Sequence, residues 1–114
     1  MSPLDRDADR EGDEMSFFFM KLVPPRASFP GDASEEELAA MGQHADYIRG
    51  LIAEDIVICA GPVMDPAASW GAAIAEVDSL EEALALGRKD PVVLAELGFR
   101  WEAWPMGALL RKAP

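Results

Sequence analysis

His44 is the only histidine in the chain. It is the residue best suited to moving protons near neutral pH, because imidazole changes charge there. It follows Met41 by one helical step and precedes Ile48 by another, so on a helix it borders an apolar stripe. There it either transfers a proton at a small carbonyl compound or ties its helix to a neighbouring loop, and position alone leaves both open. Tyr47 lies about one turn from His44. It is a candidate to line the same pocket, with core or surface packing an equal alternative. Asp90 precedes Pro91 and reads first as a helix N-cap. Arg26 and Arg100 are candidate clamps for a substrate carboxylate, with solvated surface the plainer reading.

Other chemistries find little support. The single cysteine, Cys59, permits no intramolecular disulfide and no multi-thiolate metal site. It lies in the apolar run from Ile56 to Ala60 and is expected to be a buried small hydrophobe in preference to a nucleophile. The acidic runs Glu35 to Glu37 and Glu81-Glu82 read as helix starts, not metal sites. No phosphate-cradling Gly-Lys-Ser/Thr loop, dinucleotide glycine fingerprint or G-x-S-x-G elbow occurs. Kinase, dehydrogenase and serine-hydrolase readings therefore have no basis, and no cofactor or metal is expected.

The elements that must position these residues fit one domain. The chain has 114 residues, half of them apolar, enough for one core. Its net charge of -11 argues against nucleic acid and anionic membrane surfaces as partners. No run is long and apolar enough to span a bilayer, and the polar start is unlike a signal peptide, so a cytoplasmic setting is expected. Residues 1–14 are dominated by Asp and Glu and are expected to form a disordered tail, with the domain over 15–114. Met15 is a possible natural start.

Phe17 to Val23 is aromatic and β-branched and predicts a strand, stopped by Pro24-Pro25. Ser34 with Glu37 forms a capping-box signature and opens a helix ending near Ala53. Leu38, Met41, Ala45, Ile48 and Ile52 give that helix an apolar stripe expected to face the core. Ile56 to Ala60 and Trp70 to Val77 predict a strand pair, with Gly61-Pro62 ending the first. Ser79 with Glu82 repeats the capping signature, and Gly87 looks like a helix end. Asp90-Pro91 restarts a helical turn that Gly98 closes, and Phe99 to Trp104 alternates as a last strand, with Phe99, Trp101 and Ala103 on one face. Met106 to Pro114 is left as a tail or packing arm. Trp70, Trp101 and Trp104 read as core and interface.

The order β-α-β-β-α-β is the α+β, ferredoxin-like pattern, an antiparallel sheet with both helices on one face. The other face would carry large apolar residues, and a homodimer with sheets stacked face to face is the economical cover.

Four pieces in order resemble the YciI-like (YCII-related) family: His44 in the first helix, Cys59 to Pro62 after the second strand, Val77 to Ala83 at the second helix, and Asp90-Pro91 before a valine-rich turn. The likeness runs from about Phe17 to Met106. It implies a dimeric α/β barrel built from two ferredoxin-like domains, with a His–Asp pair, here His44 and Asp90, lining a small-molecule pocket. The pair would serve a cofactor-independent lyase or isomerase, with Gly61 and Pro62 at the pocket wall and backbone N–H groups near Gly61 facing a developing oxyanion. The alternative is a non-catalytic metabolite-binding or interaction module. Two places depart from the family pattern. Glu54-Asp55 stand where a glycine usually precedes the second strand, and Ala95 to Gly98 replace an Ala-Gly pair.

Overall fold

The computed structural model describes residues 16–113, so the acidic segment 1–14, Met15 and Pro114 lie outside the described residues. The elements run β1 (Ser16–Val23), α1 (Glu35–Ala53), β2 (Val57–Val63), β3 (Trp70–Val77), α2 (Leu80–Arg88), α3 (Pro91–Leu94) and β4 (Arg100–Pro105). The four strands form one antiparallel sheet in the order β2-β3-β1-β4. This is the ferredoxin-like α+β architecture expected from the sequence. The sheet is open, not a closed barrel.

Strict alternation decides which strand residues meet the helices. Phe18, Met20 and Leu22 of β1 are buried, as are Ala73, Ala75 and Val77 of β3. They pack with Ile48 and Ala83 from α1 and α2, or with Phe29, Ala40, Val92 and Phe99 in a second cluster. The intervening residues Phe17, Phe19, Ile74 and Trp104 lie on the outer face of the sheet. There Phe19 sits edge-on to Trp70 at 6.3 Å and tilted to Trp104 at 6.1 Å. The C-terminal segment returns along this side, with Met106 N–H donating to the Phe17 carbonyl and Arg111 over the Phe17 ring.

The helix caps follow the sequence signals. The Ser34 hydroxyl accepts from Glu37 N–H, and the Glu37 carboxylate accepts from Ser34 N–H, closing the box. Ser79 accepts from Glu82 N–H, but the Glu82 carboxylate turns to Asp78 N–H, one residue earlier than the box pattern. The end of α1 is a Schellman motif. Asp55 N–H donates to the Ile52 carbonyl and Ile56 N–H to the Leu51 carbonyl, with Asp55 at φ 63. That left-handed residue belongs to the Glu54-Asp55 pair noted above as a departure from the resembled pattern.

Three expectations need correction. β2 does not stop at Gly61-Pro62 but runs through them to Val63, paired with β3. As an edge strand it tolerates a proline that donates no hydrogen bond. Cys59 is exposed, not buried. The register shifts by one residue between Val57 and Cys59, so Val57 pairs with buried Ala75 while Cys59 pairs with Ile74 on the outer face. This bulge resets the alternation that would have kept both on the core side. Finally, the stripe on α1 is not all core: Leu38 is 56% exposed and Ile52 39%, while Ile48 is buried. The stripe faces a cavity.

Candidate functional site

The cavity occupies about 590 Å³ between α1 and the sheet. Its floor is paved with small residues, Ala60, Gly61 and Pro62 from β2 and Gly71 and Ala72 from β3. Its roof is the α1 stripe from Leu38 to Ile52. Short side chains opposite a long-branched stripe leave a gap that neither fills. The β2 bulge contributes directly, because it turns Ala60 and Pro62 to the side of buried Ala73 and helix-facing Gly71. Phe29 and Pro30, from the loop after β1, close one flank.

That loop is pinned to α1 by charge. Arg26 donates to both carboxylate oxygens of Glu37, at 2.8 and 2.7 Å, and to Asp32 at 3.0 Å. The Arg26 contact, helped by Ser34 N–H, lowers the Glu37 carboxyl to about 2. The Ser28 hydroxyl and then Arg26 hold Asp32 below its usual range, and the two carboxylates raise Arg26. Arg26 is thus a strut of the cavity wall. Arg100 lies far from this role, exposed and donating to Glu102.

His44 lines the cavity with its side chain 15% exposed. Its Nδ1 lies 2.7 Å from Asp90 Oδ2. Asp90 is fully buried at the start of α3. Its Oδ1 accepts from Val92 N–H at 3.0 Å, and its Oδ2 also accepts from Trp101 Nε1 at 3.0 Å. The amide and the indole can only donate, so both carboxylate oxygens are committed as acceptors. Facing a carboxylate oxygen, His44 Nδ1 is the ring nitrogen that donates to Asp90, and Nε2 has no hydrogen-bond partner among the described residues. The capping role and the contact to His44 are met by the two oxygens of one carboxylate.

Trp101 was legible as a core residue but not as a partner of Asp90. The signal lies in Gly87. A Cβ there would meet the Trp101 Cβ, Cγ and Cδ1 atoms at 2.8 Å, so only glycine lets the indole lie against α2. The His44 and Trp101 rings are 6.0 Å apart at their centroids.

Gly61 and Pro62 line the cavity, and Tyr47 does not. The Tyr47 hydroxyl donates to the Leu86 carbonyl at 2.7 Å and its ring packs against the core. Burial, and then the Asp90 charge, raise its phenol above the ordinary value. Arg49, not singled out from the sequence, lines the cavity one turn and a half beyond His44. Among the described residues no three His, Cys, Asp or Glu side chains gather as a metal site, and no helix is long and apolar enough to cross a membrane.

The family model for the YCII-related domain matches residues 17–106, most of the chain. No curated protein matches it.

Proposed function

We propose, from the premise that the chain belongs to the YCII-related family, that its cavity is a site of cofactor-independent proton transfer, as in a lyase or isomerase. The observation that carries this reading is the buried Asp90 holding His44 Nδ1 at the cavity wall. In that arrangement Nε2 is the base that takes a proton from carbon next to a carbonyl and returns it elsewhere, while Asp90 steadies the imidazolium. Backbone N–H groups of edge strand β2 beside Gly61 are the candidate donors to the developing oxyanion. The test is deuterium incorporation from heavy water into lactones and aryl ketones that bind. Exchange by wild type and its loss in His44→Gln supports the reading. Bound compounds that do not exchange overturn it.

The alternative is a non-catalytic binding module. It is favoured by the wall, on which His44 is the sole general acid or base among the described residues. In either case we propose a cytoplasmic homodimer with outer sheet faces stacked, as the barrel of the family. The support is the outer cluster of Phe19, Trp70 and Trp104, with Trp104 47% exposed, and the one free thiol. Sedimentation should give twice 12.3 kDa for wild type and the monomer for Trp104→Glu. A monomeric wild type refutes the dimer.

A further inference from the structure

The cavity wall has a charge pattern opposite to that of the chain. Asp and Glu outnumber Lys and Arg by 21 to 10 over the sequence. Yet among the described residues no Asp or Glu lines the cavity, and one formal cation does, Arg49. Asp90 stands behind His44, fully buried and consumed by three donors. A cavity that took a cation would be expected to draw on the plentiful carboxylates. This one excludes them.

The rest of the wall is apolar and partly aromatic, with Phe29, Phe99 and Trp101 among its members. The Trp101 indole N–H is already spent on Asp90. It offers the ligand a ring face and edge, not a donor. At about 590 Å³ the space exceeds what one small ring fills. The apolar lining calls for an apolar ligand body, and the aromatic side chains of Phe29, Phe99 and Trp101 suit flat fused rings as the way to fill that space.

Arg49 is placed and prepared for a single anionic head. Its side chain is 73% exposed, against 15% for His44, so it stands at the mouth while His44 lies deeper. Its Nη1 donates to Asp46 Oδ1 at 3.1 Å in a pair exposed on both sides. Such a pair is weak and exchanges readily for another carboxylate. One guanidinium, within a strongly negative chain and without a glycine-rich cradle, suits a monoanion and not a phosphate dianion.

We infer that the cavity takes a polycyclic, largely apolar monocarboxylate, its body against the α1 stripe and its acid head held at the mouth by Arg49. This rests on the reading that the cavity is the working site, and it gives that site a ligand class and a specificity residue.

Calorimetric titration of the full chain with 2-naphthoate and its neutral isostere 2-naphthamide tests it. Wild type should bind the acid more tightly than the amide. Arg49→Gln should weaken naphthoate about five- to tenfold and leave naphthamide unchanged, as loss of one charge-assisted contact implies. Arg49→Lys should restore part of the difference. Equal binding of acid and amide, or an Arg49→Gln variant that weakens both alike, overturns the inference. So does failure of both probes to bind while lactones exchange deuterium through His44, which would leave the proton-transfer reading standing. Arg49-dependent naphthoate binding with no His44-dependent exchange of any bound carbonyl compound supports the ligand class and sinks proton transfer.

Discussion

One oxygen of Asp90 accepts from both His44 Nδ1 and Trp101 Nε1, at 2.7 and 3.0 Å. Two donors from different elements converge on a carboxylate with no contact to solvent, so the His44 ring is fixed by a group that cannot swing away. Asp90→Asn keeps the shape and inverts the logic. With Oδ1 still capping Val92, the new amide presents N–H groups to Trp101 and His44. His44 must then accept at Nδ1 and carry its proton on Nε2. Exchange activity should fall about 10²- to 10⁴-fold. Stability should drop by roughly 1–3 kcal/mol, because the indole faces a donor. Denaturant melts and the deuterium assay check both.

Gly87→Ala acts on the same carboxylate at one remove. The added methyl would sit 2.8 Å from three Trp101 atoms, so the indole must move away from α2. We expect a loss of about 1–3 kcal/mol, as for other overpacked positions. The Trp101 Nε1 proton signal should shift as its bond to Asp90 lengthens. A variant as stable as wild type with an unshifted indole signal would contradict the packing argument.

The Arg26–Glu37 strut gives the fold an acid-sensitive joint. Glu37 is lowered from 4.5 to about 2, chiefly by Arg26. Its folded state thus holds the carboxylate more strongly than the unfolded chain does. This contribution is complete above 4.5 and is lost as pH falls toward 2. Glu37→Gln should destabilise the chain at pH 7 and flatten the fall of stability across that acidic window. Melting temperatures of both proteins between pH 7 and 2 measure the difference.

Asp55 holds φ 63 at the end of α1, a conformation that glycine adopts without a Cβ penalty. Asp55→Gly should be neutral or stabilising by up to about 1 kcal/mol, where most glycine substitutions destabilise. A clear loss in a denaturant melt would mean that the Asp55 side chain, not its backbone, matters.

Much of this was legible in the sequence because local signals and tertiary packing agree. Ser34, Ser79 and Asp90 each cap the helix they were assigned to. The alternation along β4 placed Trp101 and Ala103 on the helix face, as packing requires. What was not legible depends on register. A one-residue bulge after Val57 sends Cys59 to the outer face and carries Pro62 into the cavity floor, and no local pattern announces it. The α1 stripe had the spacing of a core face, but the small residues opposite it in β2 and β3 leave a gap. Arg49 looked like any solvated arginine, and its place at the cavity mouth follows only from how far α1 stands from the sheet.

The most direct test of the central claim is the protonation of the His44 ring, read from long-range proton–nitrogen correlations in the labelled chain. With one histidine in the sequence the signals are assigned without ambiguity. The account predicts the neutral ring as the Nδ1–H tautomer, with Nε2 bearing the lone pair and shifting when 2-naphthoate enters the cavity. A neutral ring protonated on Nε2, or an Nε2 signal unmoved by a bound ligand, would contradict it and leave His44 as a structural tie between α1 and the Asp90 turn.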